Sequence, residues 1–571
     1  MIKKISILLL LAISVKSFSQ CYEAPSGNMK FIKEYMAFEH YTCALKELMV
    51  LDKQKPKNSK TYELIAECYL KYDGDRTKAL PYLEFIVKEG KFDTEIYLML
   101  GLAYHANEEF DKAIESLNNY VQKSKRPEGI VYAQTYITYC QNAKDLVKVK
   151  QKILFENLGK DINSEWNDYN PYVSPDEEFL FYSTNREKTT GNFPYKDGYV
   201  SDVFVSQYRG KSFTKSKGMG GMYNSEDVDD FAGGSADGNV IFLTSDKEFQ
   251  IFNLYISVKG PKARSFPKTE PVNGINQKNT NEMSATINNE QNLIIFSSDR
   301  PGGYGGQDLY ISRLLPDGTW GAPVNMGPQI NSEREEIYPM FTPNQKGIIF
   351  SSNNNYSMGG FDLFQTDFSE ELKTWTAPKN LGYPVNSVYD DLFITKLPNN
   401  KYAYKDATRK DSYGMKDIYR LTFQDSTPIF TVISGTILKN DTIVQKENAY
   451  KIKYTILQSK IDSLSKLKNA QSEAIQSLII KNKEELNKLA DLSLEISPYI
   501  AEIEVRKGKD GEIYGTYKAN VNNGKFVLIL EPDDYVLNIL HPKYKKIQEN
   551  VKIFDKKSYT PLINMDFNLR E

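Results

Sequence analysis

Histidine is nearly absent: His40, His105 and His541 are the only three in 571 residues. Catalysis by an imidazole base, and zinc sites built on histidine clusters, are short of material. No Gly-x-Ser-x-Gly elbow and no phosphate-cradling glycine loop occurs either, so a hydrolase nucleophile and a P-loop lack support. An excess of charge of either sign is also missing. Lys and Arg number 72 against 74 Asp and Glu, a formal net charge of −2. A nucleic-acid partner would normally leave a basic excess, and none is present. Beyond the N-terminus no apolar run approaches the roughly 18 residues of a membrane-spanning helix. What is plentiful is tyrosine, 39 residues within an aromatic content of 12%. That enrichment suits β-rich structure and adhesive surfaces. A chain of this length exceeds one core, so three or more domains are expected.

The first 19 residues read as a secretory signal. Lys3 and Lys4 form the charged start, Ile5 to Val15 the apolar stretch, and Ser17-Phe18-Ser19 offers small residues at the −3 and −1 positions. Cleavage after Ser19 exports the chain. Cys21 admits a rival reading, lipidation, although Phe18 and Gln20 stand where a lipobox wants Leu and a small residue. Cys43, Cys68 and Cys140 fall in helical repeats, where buried thiols are the default. A Cys21–Cys43 disulfide is open in an oxidising compartment, but the sequence does not decide it.

Residues 24–148 carry a helical repeat. Tyr97-x-x-Leu100-Gly101-x-x-Tyr104, then Phe110, Ala113 and Leu117, follow the tetratricopeptide (TPR) pattern. Ala79 and Ala113 lie 34 residues apart, Ala44 and Ala79 35. The small Gly101 and Ala113 are needed where paired helices approach closely. Such stacks expose an extended concave surface that binds peptides or partner helices.

A second period, near 55 residues, occupies 150–425. Asn163-Ser164, Asn224-Ser225, Asn276-Gln277, Asn331-Ser332 and Asn386-Ser387 recur at spacings of 61, 52, 55 and 55. Each opens a unit of four strands, the composition of a propeller blade. The repeats resemble the PD40 (WD40-like) type, and five blades are expected. The fifth lacks its last strand, whereas Ile153-Leu-Phe-Glu-Asn-Leu-Gly159 precedes the first and shares an Asn-Leu-Gly ending with residues 380–382. That segment is expected to complete the last blade, since an open ring would leave an unpaired edge. The aligned units also place Asp168, Asp229, Glu282, Glu336 and Asp391 in one column before the innermost strand. Converging carboxylates could ring the channel and hold calcium or a basic segment. The preferred alternative is an acid that caps the same turn in every unit.

Residues 428–571 read as a small β-sandwich similar to the carboxypeptidase regulatory-like fold. An insert at about 440–497 lacks Gly and Pro. In it Tyr450, Ile452, Tyr454 and Ile456 alternate as a strand would, and a helix is expected over 459–492.

The expected fold is thus multidomain: an all-α TPR array, an all-β five-bladed propeller and a small β-sandwich with a helical insertion. In this order the modules resemble the PorE-type periplasmic proteins of Bacteroidota, except that those usually continue into an OmpA-like domain, while this chain stops at Glu571. The resemblance implies a periplasmic protein associated with the outer membrane, without a transmembrane segment. It implies a PorP/SprF-type outer-membrane protein or another secretion- or gliding-type envelope complex as partner. The expectation is a non-catalytic scaffold or adaptor with no catalytic residue and no cofactor. The alternative is a propeller that binds carbohydrate or cleaves glycans with two carboxylates.

Overall fold

The computed structural model describes Cys21 and residues 24–72, 74–191, 194–209, 212–248, 251–259, 266–425, 430–467, 472–495, 497–508, 511–521, 523–553 and 562–570. The expected signal segment lies outside them. They form two compact units, and most of the regular structure is antiparallel sheet.

The larger unit begins with seven helices: α1 (Met29–Ala37), α2 (Tyr41–Gln54), α3 (Ser59–Lys71), α4 (Leu80–Glu89), α5 (Glu95–Ala106), α6 (Phe110–Lys123) and α7 (Pro127–Leu146). Their limits follow local chemistry. Asn28 and Asn58 cap α1 and α3 by accepting from Lys30 N and Thr61 N, Gly90 ends α4 at φ +79°, and Pro127 starts α7. The close approach expected at Gly101 is real: a Cβ there would come within 2.5 Å of Leu117 on α6. Cys21 is joined to Cys43 on α2 by a disulfide, so its sulfur, which lipidation would require, is engaged. Cys68 and Cys140 are buried free thiols.

Five four- or five-stranded sheets follow in the same unit and make a β-propeller. Their innermost strands start at Asp168, Asp229, Glu282, Glu336 and Ile394. In the fifth sheet the outermost strand is Ile153–Asn157, antiparallel to Asp417–Phe423 from Ile153↔Phe423 to Asn157↔Tyr419. The ring is therefore closed by a strand taken from before the first blade.

The recurrent asparagines fasten blade to blade. Asn163, Asn224, Asn276, Asn331 and Asn386 each accept from the N–H and donate to the C=O of one third-strand residue, respectively Ile418, Val203, Leu254, Leu309 and Leu363. A side-chain amide is the one neutral group that reproduces both partners of a β-ladder, which explains the fixed Asn.

The smaller unit has two facing sheets, one built around Thr431–Leu438 and Lys525–Leu530, the other around Glu502–Lys507 and Asp534–Leu540. Ile433, Ile503, Leu528, Leu537 and Phe567 share its core. Between the strands stand two helices, α8 (Asp441–Ser465) and α9 (Glu473–Glu495). The strand expected at Tyr450–Ile456 is instead the middle of α8, and the expected helix over 459–492 is divided between the two. The alternation misled because Ile452 and Ile456 are 62% and 61% exposed: their spacing answers to no buried face. Among the described residues no helix is long and apolar enough to cross a membrane.

Candidate functional site

Just past the acids that open two of the innermost strands, the backbone takes an unusual conformation. Asn170 and Tyr338, each two residues past its blade's acid, both sit at φ +52°, beside register shifts in their strands. A left-handed tyrosine is sterically costly and marks a position held by its surroundings. Tyr338 N–H donates to Ser284 Oγ at 2.8 Å, and its ring packs edge-on against Phe393 at 5.7 Å. Tyr169 donates its hydroxyl to Asp230 Oδ1 at 2.6 Å, linking blades 1 and 2. Burial raises the Asp230 carboxyl above its usual range, with the Tyr169 hydrogen bond opposing, and also raises the phenols of Tyr169 and Tyr338.

The helices reach this face of the propeller. On α2, Thr42 donates N–H and Oγ1 to Asp197 Oδ1, both at 2.8 Å, and Lys196 pairs with Glu39 at 2.9 Å. On α5 and α7, His105 Nε2 bonds Met358 O at 2.8 Å, Tyr139 donates to Asn353 O at 2.6 Å, and Asn142 donates to Asn355 O and Ser357 O. The array is thus tied to blade 1 near its start and blade 4 near its end.

A cavity of about 610 Å³ lies between these attachments. Tyr169, Tyr199, Tyr338 and Phe252 supply aromatic faces; Asp230, Asp246, Asn167 and Asn185 supply polar groups; Tyr41, Glu39 and Lys71 close it from the helices. A second cavity, about 490 Å³, shares Glu39, Tyr41 and Lys71 and extends to Arg76, Tyr132, Tyr136 and Asp390. The chamber can stack a ligand against phenol rings while donating and accepting hydrogen bonds around its edge.

The five column acids are not in it. They are 0–2% exposed, and each turns toward its own blade. Asp168 accepts from Ser164 N and Oγ and from Arg186 at 2.5 Å; Asp229 accepts from Ser225 N and Oγ. Glu282 accepts from Thr280, Ser298 and Arg300, Glu336 from Ser332 and Ser352, and Asp391 from Ser387 and Lys405. The structure does not bring the five to a shared centre. Among the described residues, no three His, Cys, Asp or Glu side chains are grouped to hold a metal. His105 is buried on α5, His40 precedes α2, and His541 bonds Ser497 O in the smaller unit.

The lining of the chamber escaped the sequence. The residues after each acid are Tyr169, Asp230, Met283, Ile337 and Leu392, and they share no chemistry. Repeat alignment finds what is constant, whereas a binding surface is made from what differs.

No protein-family model and no curated protein matches the chain. Solved structures do. An α-L-arabinanase of Penicillium chrysogenum complexed with arabinobiose is 11% identical over 45% of this chain and 77% of its own, with a TM-score of 0.27. An α-L-arabinofuranosidase of Podospora anserina is 10% identical over 46% and 98%, TM-score 0.25. A prolyl oligopeptidase B of Galerina marginata is 12% identical over 48% of this chain and 33% of its own, TM-score 0.24. These descriptions name enzymes, which corrects the expectation that the chain is no enzyme: shortage of histidine is no ground for excluding catalysis on such an architecture. At these scores the likeness assigns no reaction to this chain.

Proposed function

We propose that the protein is an exported binding protein whose ligand site is the chamber over the propeller mouth, and that its ligand is a carbohydrate. The observation that carries this reading is the meeting of Tyr169, Tyr199, Tyr338 and Phe252 with Asp230, Asn167 and Asn185 in one cavity. A sugar ring has an apolar face of C–H groups and a belt of hydroxyls. It needs a flat surface to stack on, and carboxylates and amides that accept and donate at its rim. If the bound chain is cleaved, Asp230 is the acid, because burial keeps its proton to higher pH.

The test is calorimetric titration of the mature protein with a panel of neutral and acidic oligosaccharides, each mixture then analysed for shorter products. Binding of one class, lost in Tyr338→Ala and Asp230→Asn while both variants melt cooperatively, supports the reading. A silent panel rejects it. Shortened chains distinguish cleavage from binding.

A second reading has its own observation. Ile452, Ile456 and Ile480 on α8 and α9 are each more than half exposed, an apolar surface of the kind partner proteins cover. On this reading the helices α1–α7 are TPR pairs, and the chain is a PorE-like adaptor in the periplasm, beneath a PorP/SprF-type outer-membrane partner. Crosslinking in intact cells decides it: an outer-membrane protein joined through α8 or α9 favours the adaptor, and recovery of the uncrosslinked chain alone rejects it.

A further inference from the structure

The five blade junctions repeat one arrangement, and one junction departs from it. The column acid of one blade lies near the residue that opens the third strand of the preceding blade. Asp168 is near Asp417, Asp229 near Asp202, Glu336 near Asp308 and Asp391 near Asp362, while the remaining third-strand position is Asn253. Neighbouring carboxylates in a protein interior need a positive charge, a proton or full hydrogen bonding.

Four junctions provide this from the chain. Arg186 donates to Asp168, Arg300 to Glu282 at 3.2 Å, and Lys405 to Asp391. The Asp308–Glu336 junction has no such cation but ties every oxygen: Asp308 accepts from Tyr304 N, Gly305 N and Asn325 Nδ2, and Glu336 from Ser332 and Ser352.

The Asp202–Asp229 junction has a cation that acts on Asp229 only through space, and it leaves an oxygen of each acid untied. Where Arg186 and Arg300 stand in their blades, this one has Lys247, whose ammonium lies 4.7 Å from the centre of the Tyr255 ring. Asp202 Oδ2 accepts from Thr190 N and Oγ1, and Asp229 Oδ2 from Ser225 N and Oγ. Asp202 Oδ1 and Asp229 Oδ1 have no hydrogen-bond partner, although their residues are 2% and 1% exposed. Asp417 Oδ1 and Asp362 Oδ1 are unpartnered too, but there the facing acid is bonded by Arg186 or Lys405; only at this junction do both acids keep an untied oxygen. Two further buried oxygens lack a well-formed hydrogen bond: Thr189 Oγ1, one residue from the cap on Asp202, and Ser245 Oγ, opposite Asp229 in the ladder and close enough to its carboxylate to lower its pKa.

We propose that this junction binds one calcium ion between blades 1 and 2. The donors are all hard oxygens, two carboxylates and two hydroxyls, and the two negative charges balance a divalent cation. Calcium accepts an irregular oxygen set completed by water, whereas magnesium demands a near-ideal octahedron. The ion neutralises the facing acids, as Arg186, Arg300 and Lys405 neutralise the acids of their own blades, and it also joins adjacent blades. Of the five column acids only Asp229 takes part, with Asp202 as its partner.

The test uses the mature protein stripped with EDTA, with bound metal measured by mass spectrometry and unfolding followed with and without calcium chloride. One calcium per chain and a melting temperature several degrees higher in calcium are expected. Asp202→Asn gives this junction the amide that Asn253 supplies at the next, and is expected to melt at one temperature in either buffer. Asp417→Asn, at the junction served by Arg186, keeps the calcium shift. Should Asp202→Asn fail to fold, Ser245→Ala weakens calcium binding at least several-fold. No calcium bound and no shift in the parent protein overturns the proposal, as does a shift that survives Asp202→Asn or an affinity unchanged in Ser245→Ala.

Discussion

Asn163 holds Ile418 by both backbone groups: the Ile418 N–H donates to Asn163 Oδ1 at 2.8 Å, and Asn163 Nδ2 donates to Ile418 O at 3.0 Å. The two residues are 255 positions apart, so this clamp joins the beginning of the ring to its end alongside the Ile153–Asn157 strand. The same clamp at Asn331 and Leu309 measures 2.8 and 3.0 Å. Asn331→Ala strands a buried N–H and a buried C=O, a loss of about 2–6 kcal/mol at roughly 1–3 kcal/mol per orphaned group. Asn331→Asp keeps the acceptor but turns a buried carboxylate oxygen toward Leu309 O and Asn325 Oδ1, so it is expected to be no more stable than the alanine variant in chemical denaturation.

Ring closure has its own test at Phe155. Its ring lies under the Arg409 guanidinium at 4.1 Å and edge-on to Tyr419 at 6.2 Å. Glu156→Pro, next to it, removes the N–H of a hydrogen-bonded pair with Arg420 and is expected to lower the melting temperature more than Phe155→Ala, since only the proline breaks the ladder. Equal losses would mean that the side chain alone secures the edge.

The period of the propeller was legible because its clamp admits one residue type. Asn must stand at every junction, and the serine or glutamine after it donates a backbone N–H to the column acid. The role of the acids was legible only in part, because the repeat places them but does not say where they point. Asp168 and its counterparts accept hydrogen bonds from their own turns. The α8–α9 pair was misread for a physical reason: helices with little buried surface leave few apolar positions constrained. Tyr338 and Asp230 gave no signal, being exceptions within the columns that define the repeat.

Arg300 and Glu282 form a buried pair at 3.2 Å, with Arg300 also donating to Ile275 O and lying 4.7 Å from the Phe296 ring centre. Arg300→Met leaves the Glu282 charge uncompensated and is expected to cost about 3–5 kcal/mol, the range for breaking such a pair from one side. The double variant Arg300→Met with Glu282→Gln removes the stranded charge and should recover most of that loss. Urea denaturation of the three proteins measures the difference. A double variant no more stable than Arg300→Met would place the cost in lost packing over Phe296 and Tyr310.

His105 gives the helix–propeller contact a pH dependence of known sign. It is buried on α5 with Nε2 bonded to Met358 O, and burial lowers its pKa to about 4. The hydrogen bond to that carbonyl opposes the shift, while Arg76 adds to it. An unfolded histidine titrates near 6.5, so between about 6.5 and 4 the unfolded chain binds more protons than the folded one. The stability contributed by neutral His105 is complete above pH 6.5. It is lost progressively as pH falls, by at most about 1.4 kcal/mol per unit. Buried acids such as Asp417, raised to about 6, act in the opposite direction, so the parent's pH profile alone does not isolate the histidine. His105→Gln does, because its amide keeps a donor near Met358 O and does not titrate. The melting temperature of the parent relative to this variant is expected to fall between pH 7 and pH 5. A constant difference across that range would mean that His105 is protonated equally in both states.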